Sequence, residues 1–382
     1  MAINPSNKYF KRVVKSGYID KTGAISYLNP FVDTENCFFC IARPRRFGKS
    51  VALKTLMAYY SKGCDSKDLF ANYEISRDPS FKEHLNNHNV IYWDMNHFVS
   101  SVEKEGEFFN EFNHTALLEL QVSFGEILKS YSYKNVIQAL DIIRPQTDES
   151  FIFLIDEWDA PLRELSSDTE KKSYIDFFLK LFKSDLTEIV SLAYLTGIFP
   201  IGRYDTESAL NNFQDINMLT PQWPITKYFG FNENDVKQIC LKHDLNFESA
   251  KLWYDGYHLG NEDIYNPYSI TQLFLERLYT SYWIRTGSFE HVLKVINQNV
   301  DGIRDLILSL MSGNKYQNID TTKFKNPIVE IKDRNTALIY LVHLGYLTFK
   351  QNADGTNEIS IPNEEVRQVF VSNIDTGQRP TA

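Results

Sequence analysis

CFFCIARPRRFGKSVALK, residues 37–54, joins an unbroken apolar run to a basic turn, a Gly-Lys-Ser and the start of an amphipathic segment. Gly48, Lys49 and Ser50 fill the last three positions of G-x-x-x-x-G-K-[ST], while Arg43 stands where the first glycine belongs. In that pattern backbone N–H groups cradle phosphates, the lysine neutralises them and the hydroxyl binds Mg2+. The apolar run reads as a strand ending at Ala42 and the amphipathic segment as a helix beginning at Ser50. Lys49 is thereby expected at a helix N-terminus, where unpaired N–H groups and the helix dipole favour an anion. Without its first glycine the loop must depart from the standard cradle, and Pro44 stiffens the same turn. Arg43, Arg45 and Arg46 add three positive charges within reach of a polyphosphate. The expected nucleotide-binding set is therefore Arg43, Pro44, Arg45, Arg46, Phe47, Gly48, Lys49 and Ser50. Taken alone, the loop fits a solvated basic turn between strand and helix equally well.

A second stretch, FIFLIDEWD (residues 151–159), shifts that balance. It is an apolar strand ending in two acids: Asp156 is placed to hold Mg2+, together with Ser50, and Glu157 to orient an attacking water as the catalytic residue. Acids that end a strand and face solvent are the plainer alternative. Both motifs close strands of what reads as one parallel sheet, and the carboxyl edge of such a sheet is where ligands bind. The strands are Cys37–Ala42, Val90–Trp93, Phe151–Ile155 and Ile189–Leu195, each continuous in its apolar character and each separated from the next by helix-like sequence. This alternation predicts an α/β layer with right-handed crossovers. Thr196, at the end of the fourth strand, reads either as a polar sensor of the phosphate or as a cap of the following turn. Arg203 reads as a surface ion pair or a phosphate contact, and Asp159 as a helix cap or a partner standing behind the acids, the cap being preferred.

The chain has 382 residues, enough for two or three structural units, with 43% hydrophobic and 23% charged residues, as in ordinary globular proteins. A formal net charge of −9 repels polyanions and membranes overall, so any nucleic-acid contact has to be local. No stretch approaches the roughly 18 to 20 apolar residues of a membrane span. The N-terminus lacks the apolar core of a signal peptide, and the expectation is a cytoplasmic protein without a membrane partner. Cys37 and Cys40 are spaced C-x-x-C within an apolar run and, with Cys64 and Cys240 isolated, read as core thiols. No H-E-x-x-H or G-x-S-x-G occurs, so zinc-protease and serine-hydrolase chemistry have no support.

Beyond Thr196 the character changes. NENDVKQICLKH opens on a capping Asn232, FESAKLWYDGY has helical spacing, and NPYS (residues 266–269) reads as a turn before the helix TQLFLERLYTSYW. ALIYLVHLGYLTF, QNADGTNE, EISIP and NEEVRQVF then give helix, strand, Asp-Gly turn, strand and helix, an order resembling a winged helix. The expected organisation is a P-loop core over 1–230, a helical region over 231–300, a winged-helix-like module over 301–376 and a frayed tail over 377–382.

YIDKT (18–22), RPRRFGKS (43–50), FLIDEWDAPL (153–162), LTG (195–197), ALNN (209–212), WYDGY (253–257) and YNPYS (265–269) together resemble the AAA-ATPase-like family often found in front of a PD-(D/E)XK nuclease domain. The similarity runs from about residue 5 to 370. RPRRFGKS is the usual form of the loop in that family, so the resemblance implies that Arg43 is a family trait. It also implies a P-loop ATPase core followed by helical and winged-helix regions. With the loop and the acidic pair on one sheet, the expectation is a protein that binds ATP and Mg2+, a slow ATPase coupling nucleotide state to helical and winged-helix packing; the alternative is a nucleotide-dependent switch or scaffold that regulates a nuclease or nucleic-acid-linked partner, and an oligomer is compatible with either. Arg285 in YWIRTG departs from the acidic or neutral residue expected there. No Asp followed by E-x-K appears after Val366, so the chain is not expected to cleave nucleic acid itself, either because it stops short of the nuclease or because this member lacks one.

Overall fold

The computed structural model describes residues 2–102, 104, 106–147, 149–201, 210–220, 224–260, 262–285, 289–321 and 331–374. They divide into two compact units, one of residues 1–42 and 49–216, the other of residues 43–48 and 217–382.

The first unit is built on a six-stranded sheet: β1 (Ala2–Ile3), β2 (Phe38–Ala42), β3 (Asn89–Asp94), β4 (Phe151–Asp156), β5 (Val190–Gly197) and β6 (Gln214–Ile216). Their spatial order is β1-β3-β4-β5-β2-β6, with only β1 antiparallel to its neighbour. The four expected strands form the centre, and every residue of β2, β4 and β5 is buried. Such strands can be continuous in apolar sequence because both faces are covered. The covering helices include Lys49–Tyr60, Phe108–Leu128, which kinks at Phe124, and Asp168–Phe182, which packs a ladder of aromatic rings against the sheet. Two short edge strands, β1 and β6, were not foreseen. β6 is Gln-Asp-Ile with two residues half-exposed, too short and polar to stand out as a strand.

The register fixes what shares the carboxyl edge. Ala42 of β2 lies opposite Gly197 of β5, Ile155 of β4 opposite Leu195 of β5, and Asp156 of β4 opposite Asp94 of β3. Because β5 runs between β2 and β4, the side chain of Thr196 stands between the strand that leads to the Gly-Lys-Ser and the strand that carries the acids.

The second unit holds two three-stranded antiparallel sheets. One is β7 (Phe231–Asn232), β8 (Tyr257–Leu259) and β9 (Glu262–Tyr265); the other is β10 (Tyr316–Gln317), β11 (Thr348–Gln351) and β12 (Asn357–Ser360). Around them pack helices Glu233–His243, Phe247–Tyr254, Pro267–Glu276, Glu290–Gln298, Ile303–Met311, Arg334–Leu344 and Glu364–Asn373. Asn232 caps the first through a reciprocal box with Asp235. The sequence Arg334–Asn373 runs helix, β11, turn, β12, helix, with the helix stopped by Gly345 in a left-handed conformation. One apolar core unites this segment with the preceding helices, from Met218 to Ile374, and includes Phe47. NPYS differs from its reading as a turn: Asn266 accepts from the N–H groups of Tyr268 and Ser269 and Pro267 is the first helical residue, so the motif opens the helix, which ends at Glu276. Arg203 and the tail 377–382 lie outside the described residues.

Candidate nucleotide-binding site

The helix that follows β2 begins at Lys49, one residue earlier than expected, so Lys49 and Ser50 both occupy its first turn. Lys49 is buried, at 4% exposure, and its Nζ lies 3.5 Å from the Glu157 carboxylate. Asp156 is equally enclosed. Its Oδ1 accepts from the Thr196 hydroxyl at 2.6 Å, and the Ser50 hydroxyl bonds to the same carboxylate. Burial raises the Asp156 carboxyl above the ordinary range, and the Ser50 and Thr196 hydroxyls and the Lys49 charge work in the opposite direction. Thr196 therefore spends its hydroxyl on the acid, and not on capping the turn after β5.

Glu157 has a backbone φ of +52°, in the left-handed region that residues with a Cβ rarely occupy. That turn aims its carboxylate sideways, between two cations: Lys49 on Oε1 and Arg163, whose Nη2 donates to Oε2 at 3.0 Å. The next two residues stitch this corner to the continuation of β5. The Trp158 N–H donates to the Thr196 carbonyl at 2.8 Å, its indole donates to the Phe199 carbonyl at 3.1 Å, and Asp159 Oδ2 accepts from the backbone N–H groups of Ile198 and Phe199 at 3.1 and 3.0 Å. Gly197 is needed here for space: a Cβ would sit 2.7 Å from the Trp158 ring and 2.9 Å from Asp159 Oδ1.

Asp159 corrects the sequence reading. It occupies the position before helix Ala160–Glu164, but its side chain makes no cap bond to that helix and is fully buried between the Ile198–Phe199 backbone and Arg163 Nε at 3.2 Å. Burial opposes the Arg163 charge, but Asp159, Glu157 and Glu164 outweigh it and hold the guanidinium above its ordinary value. Arg163 was not singled out from sequence. The visible signal was its i,i+4 spacing from Asp159 across the start of a helix.

Residues 43–48 belong to the second unit, and there too the expectation changes. Arg43 is fully buried, its guanidinium 6.0 Å from the centre of the Phe229 ring, while Arg45 and Arg46 are exposed. Arg46 stacks over Tyr268 at 3.9 Å. Phe47 is a core side chain, edge-on to Tyr257 at 5.0 Å, and Pro44 is buried against Gly345. Of the expected phosphate-facing set, the side chains of Arg43, Pro44 and Phe47 are thus buried. Arg43 has no positive φ; Arg46 (+71°) and Gly48 (+84°) take the left-handed positions instead, which explains how the loop dispenses with a first glycine.

A family described as Predicted AAA-ATPase matches residues 8–206, more than half of the chain. The chain belongs to this AAA-ATPase family. A relative from Azotobacter chroococcum, an uncharacterized protein encoded in the 5′ region of vnfD, is 27% identical over 293 residues, 71% of this chain; the match spans about half (51%) of that protein's length. Among solved structures, a chain of the Drosophila ORC bound to AT-rich DNA and Cdc6 aligns over 96% of this chain and 95% of its own at 10% identity, with a TM-score of 0.25, too low to carry an argument.

In this family member, two motifs that had no evident chemistry tie segments of the chain together. In YIDKT, Asp20 accepts from Thr22 and from the Glu74 N–H, and the Thr22 hydroxyl accepts from Ile75 N–H, tying the segment to residues 74–75. In NPYS, the Ser269 hydroxyl donates to the buried carboxylate of Glu365, which also accepts from the N–H groups of Tyr282 and Trp283 at 2.9 Å each. Arg285 pairs with Glu276 at the surface. All four cysteines are free; Cys40 is fully buried, and burial pushes the Cys37 thiol up to about 12, which disfavours the thiolate. No described helix is long and apolar enough to cross a membrane, and no cluster of three metal-ligating side chains occurs among the described residues.

Proposed function

We propose that this AAA-ATPase binds Mg-ATP and hydrolyses it slowly, with the first unit carrying the site. The observation that supports this reading most directly is the Ser50–Asp156–Thr196 cluster beside Lys49 and Glu157. A buried carboxylate next to a serine hydroxyl is a hard oxygen donor set, suited to Mg2+, which binds through one or two protein oxygens and completes its shell with water and phosphate. Ser50 and Asp156 would hold the ion, which when bound would neutralise phosphate charge. Lys49, at the N-terminus of a 12-residue helix, would bind phosphate together with backbone N–H groups of that first turn. Gly48 precedes it in sequence, and Arg45 and Arg46 remain the exposed charges of the loop. Glu157 would orient water, and Thr196 would hold Asp156 ionised and in place. The anion would displace the Lys49–Glu157 pair, since a polyphosphate offers the lysine a stronger partner than a carboxylate 3.5 Å away.

Glu157→Gln separates the roles. Mg-ATP affinity within about twofold of native with turnover lowered at least ~100-fold is the expected result; turnover unchanged by the substitution removes Glu157 from the chemistry. A second reading, a nucleotide-binding switch with little hydrolysis that acts on a nuclease or other partner, is favoured by the ion-paired state of Glu157. Tight Mg-ATP binding with negligible turnover in every partner mixture distinguishes it. The winged-helix-like order of Arg334–Asn373 is offered as the architecture of the C-terminal segment, and Arg334, Lys350 and Arg367 are few cations for a duplex-binding surface.

A further inference from the structure

Three carboxylates converge on one guanidinium behind the acidic corner. Arg163 donates from Nε to Asp159 (3.2 Å), from Nη2 to Glu157 (3.0 Å) and from Nη1 to Glu164 (3.0 Å), and is only 11% exposed. The three partners are not equivalent. Asp159 is fully buried and fixed by two backbone N–H groups, so it is the anchor. Glu164 is 46% exposed and pairs in water-like surroundings. Glu157 is the partner with another task. Its Oε1 faces Lys49 and its Oε2 faces Arg163, so both oxygens are engaged by cations while its backbone is held at φ +52°.

Resting on the ATPase reading above, we propose that Arg163 is a lock on Glu157 that restrains hydrolysis after nucleotide has bound. A polyphosphate withdraws Lys49 from Oε1, but it does not touch the bond from Arg163, which is enclosed and anchored. A carboxylate held by a charge-assisted bond from a guanidinium is a weak acceptor for a water hydrogen and is fixed away from any other orientation. Release requires Arg163 to turn onto Asp159 and Glu164 alone. Asp159 is bonded to Ile198 and Phe199, two and three residues beyond Thr196 on the same strand end, so movement at the tip of β5 reaches the lock through a single carboxylate. The device regulates the rate of the chemical step and leaves nucleotide affinity nearly untouched.

The test compares Mg-ATP affinity by calorimetry and steady-state turnover for the native chain, Arg163→Gln, Arg163→Lys and the double variant Glu157→Gln/Arg163→Gln. Glutamine keeps an amide donor for Asp159 and removes the charge on Glu157. The expected result is turnover about tenfold or more above native in Arg163→Gln, the factor corresponding to one lost charge-assisted bond. Affinity should stay within twofold, turnover in Arg163→Lys should be intermediate, and the gain should vanish in the double variant. Equal or lower turnover in Arg163→Gln with affinity retained overturns the lock, including the case where neither protein turns over. Should Arg163→Gln fail to fold, Arg163→Lys decides by the same criterion. A native chain that does not bind Mg-ATP refutes the underlying ATPase reading instead.

Discussion

The hydroxyl of Thr196 shows how much of the acidic corner depends on one buried atom. Removing it in Thr196→Val leaves a buried carboxylate oxygen short of a donor, which costs about 1–3 kcal/mol of stability. It also removes one of the influences that keep the Asp156 carboxyl ionised. Since Mg2+ requires the ionised form, the pH below which Mg-ATP binding is lost should move upward in Thr196→Val. Calorimetric titrations between pH 5 and 8 measure this, and an unmoved acid limit separates Asp156 from the metal. At this scale the sequence was informative about residue type but not about partners. Asp156, Glu157, Lys49 and Ser50 were legible because motif spacing places them at strand and helix ends. Arg163 was not, because its importance lies in a left-handed turn at Glu157 that brings two residues six apart in sequence face to face. The burial of Arg43, Pro44 and Phe47 was hidden for the converse reason: a basic, glycine-containing loop reads as open, and nothing local reveals that three of its side chains are enclosed.

At the scale of elements, the central strands were legible because burial on both faces writes an unbroken apolar run, whereas β6 and β8 are three residues long and carry no pattern of their own. Gly256, in WYDGY, marks where two elements of the second unit meet. Its φ is +104° and a Cβ there would lie 1.9 Å from the Pro362 carbonyl oxygen, just ahead of helix Glu364–Asn373, while Asn363 donates to the Asp255 carbonyl at 2.9 Å. No side chain can be accommodated without parting these backbones. Gly256→Ala should therefore destabilise the second unit by more than about 2 kcal/mol, a strain and a clash together. Denaturant unfolding followed by the tryptophans of that unit checks this, and a change below about 0.5 kcal/mol would mean the two segments are not held in this way.

For the whole molecule, the buried carboxylate of Glu365 makes the second unit's stability depend on pH. Burial raises this group from its ordinary value to about 7, against the bonds from Ser269, Trp283 and Tyr282. The folded state then holds the proton more tightly than the unfolded chain between about pH 4.5 and 7, so this group's contribution falls as pH rises through that window. Glutamine can accept the same two N–H bonds without the charge. The stability of Glu365→Gln relative to native should rise by about 3 kcal/mol from pH 4.5 to 7.5, with the opposing influence of buried His343, lowered to about 3, common to both proteins. A difference that stays flat across the window would show that the carboxylate is not confined as described. The P-loop core was readable from sequence as a class because both halves of its motif survive, whereas the grouping of residues 43–48 with a unit that otherwise begins at Asn217 rests on contacts distant in sequence.

Whether Lys49 and the Asp156 cluster form a Mg-nucleotide site is decided by calorimetric titration of Mg-ATP into the native chain and into Lys49→Ala. The expected result is saturable one-site binding by the native protein and affinity weakened about 100-fold or more in the variant, as for a buried charge-assisted contact to phosphate. Equal affinity in the two proteins, or no binding to either, would contradict it.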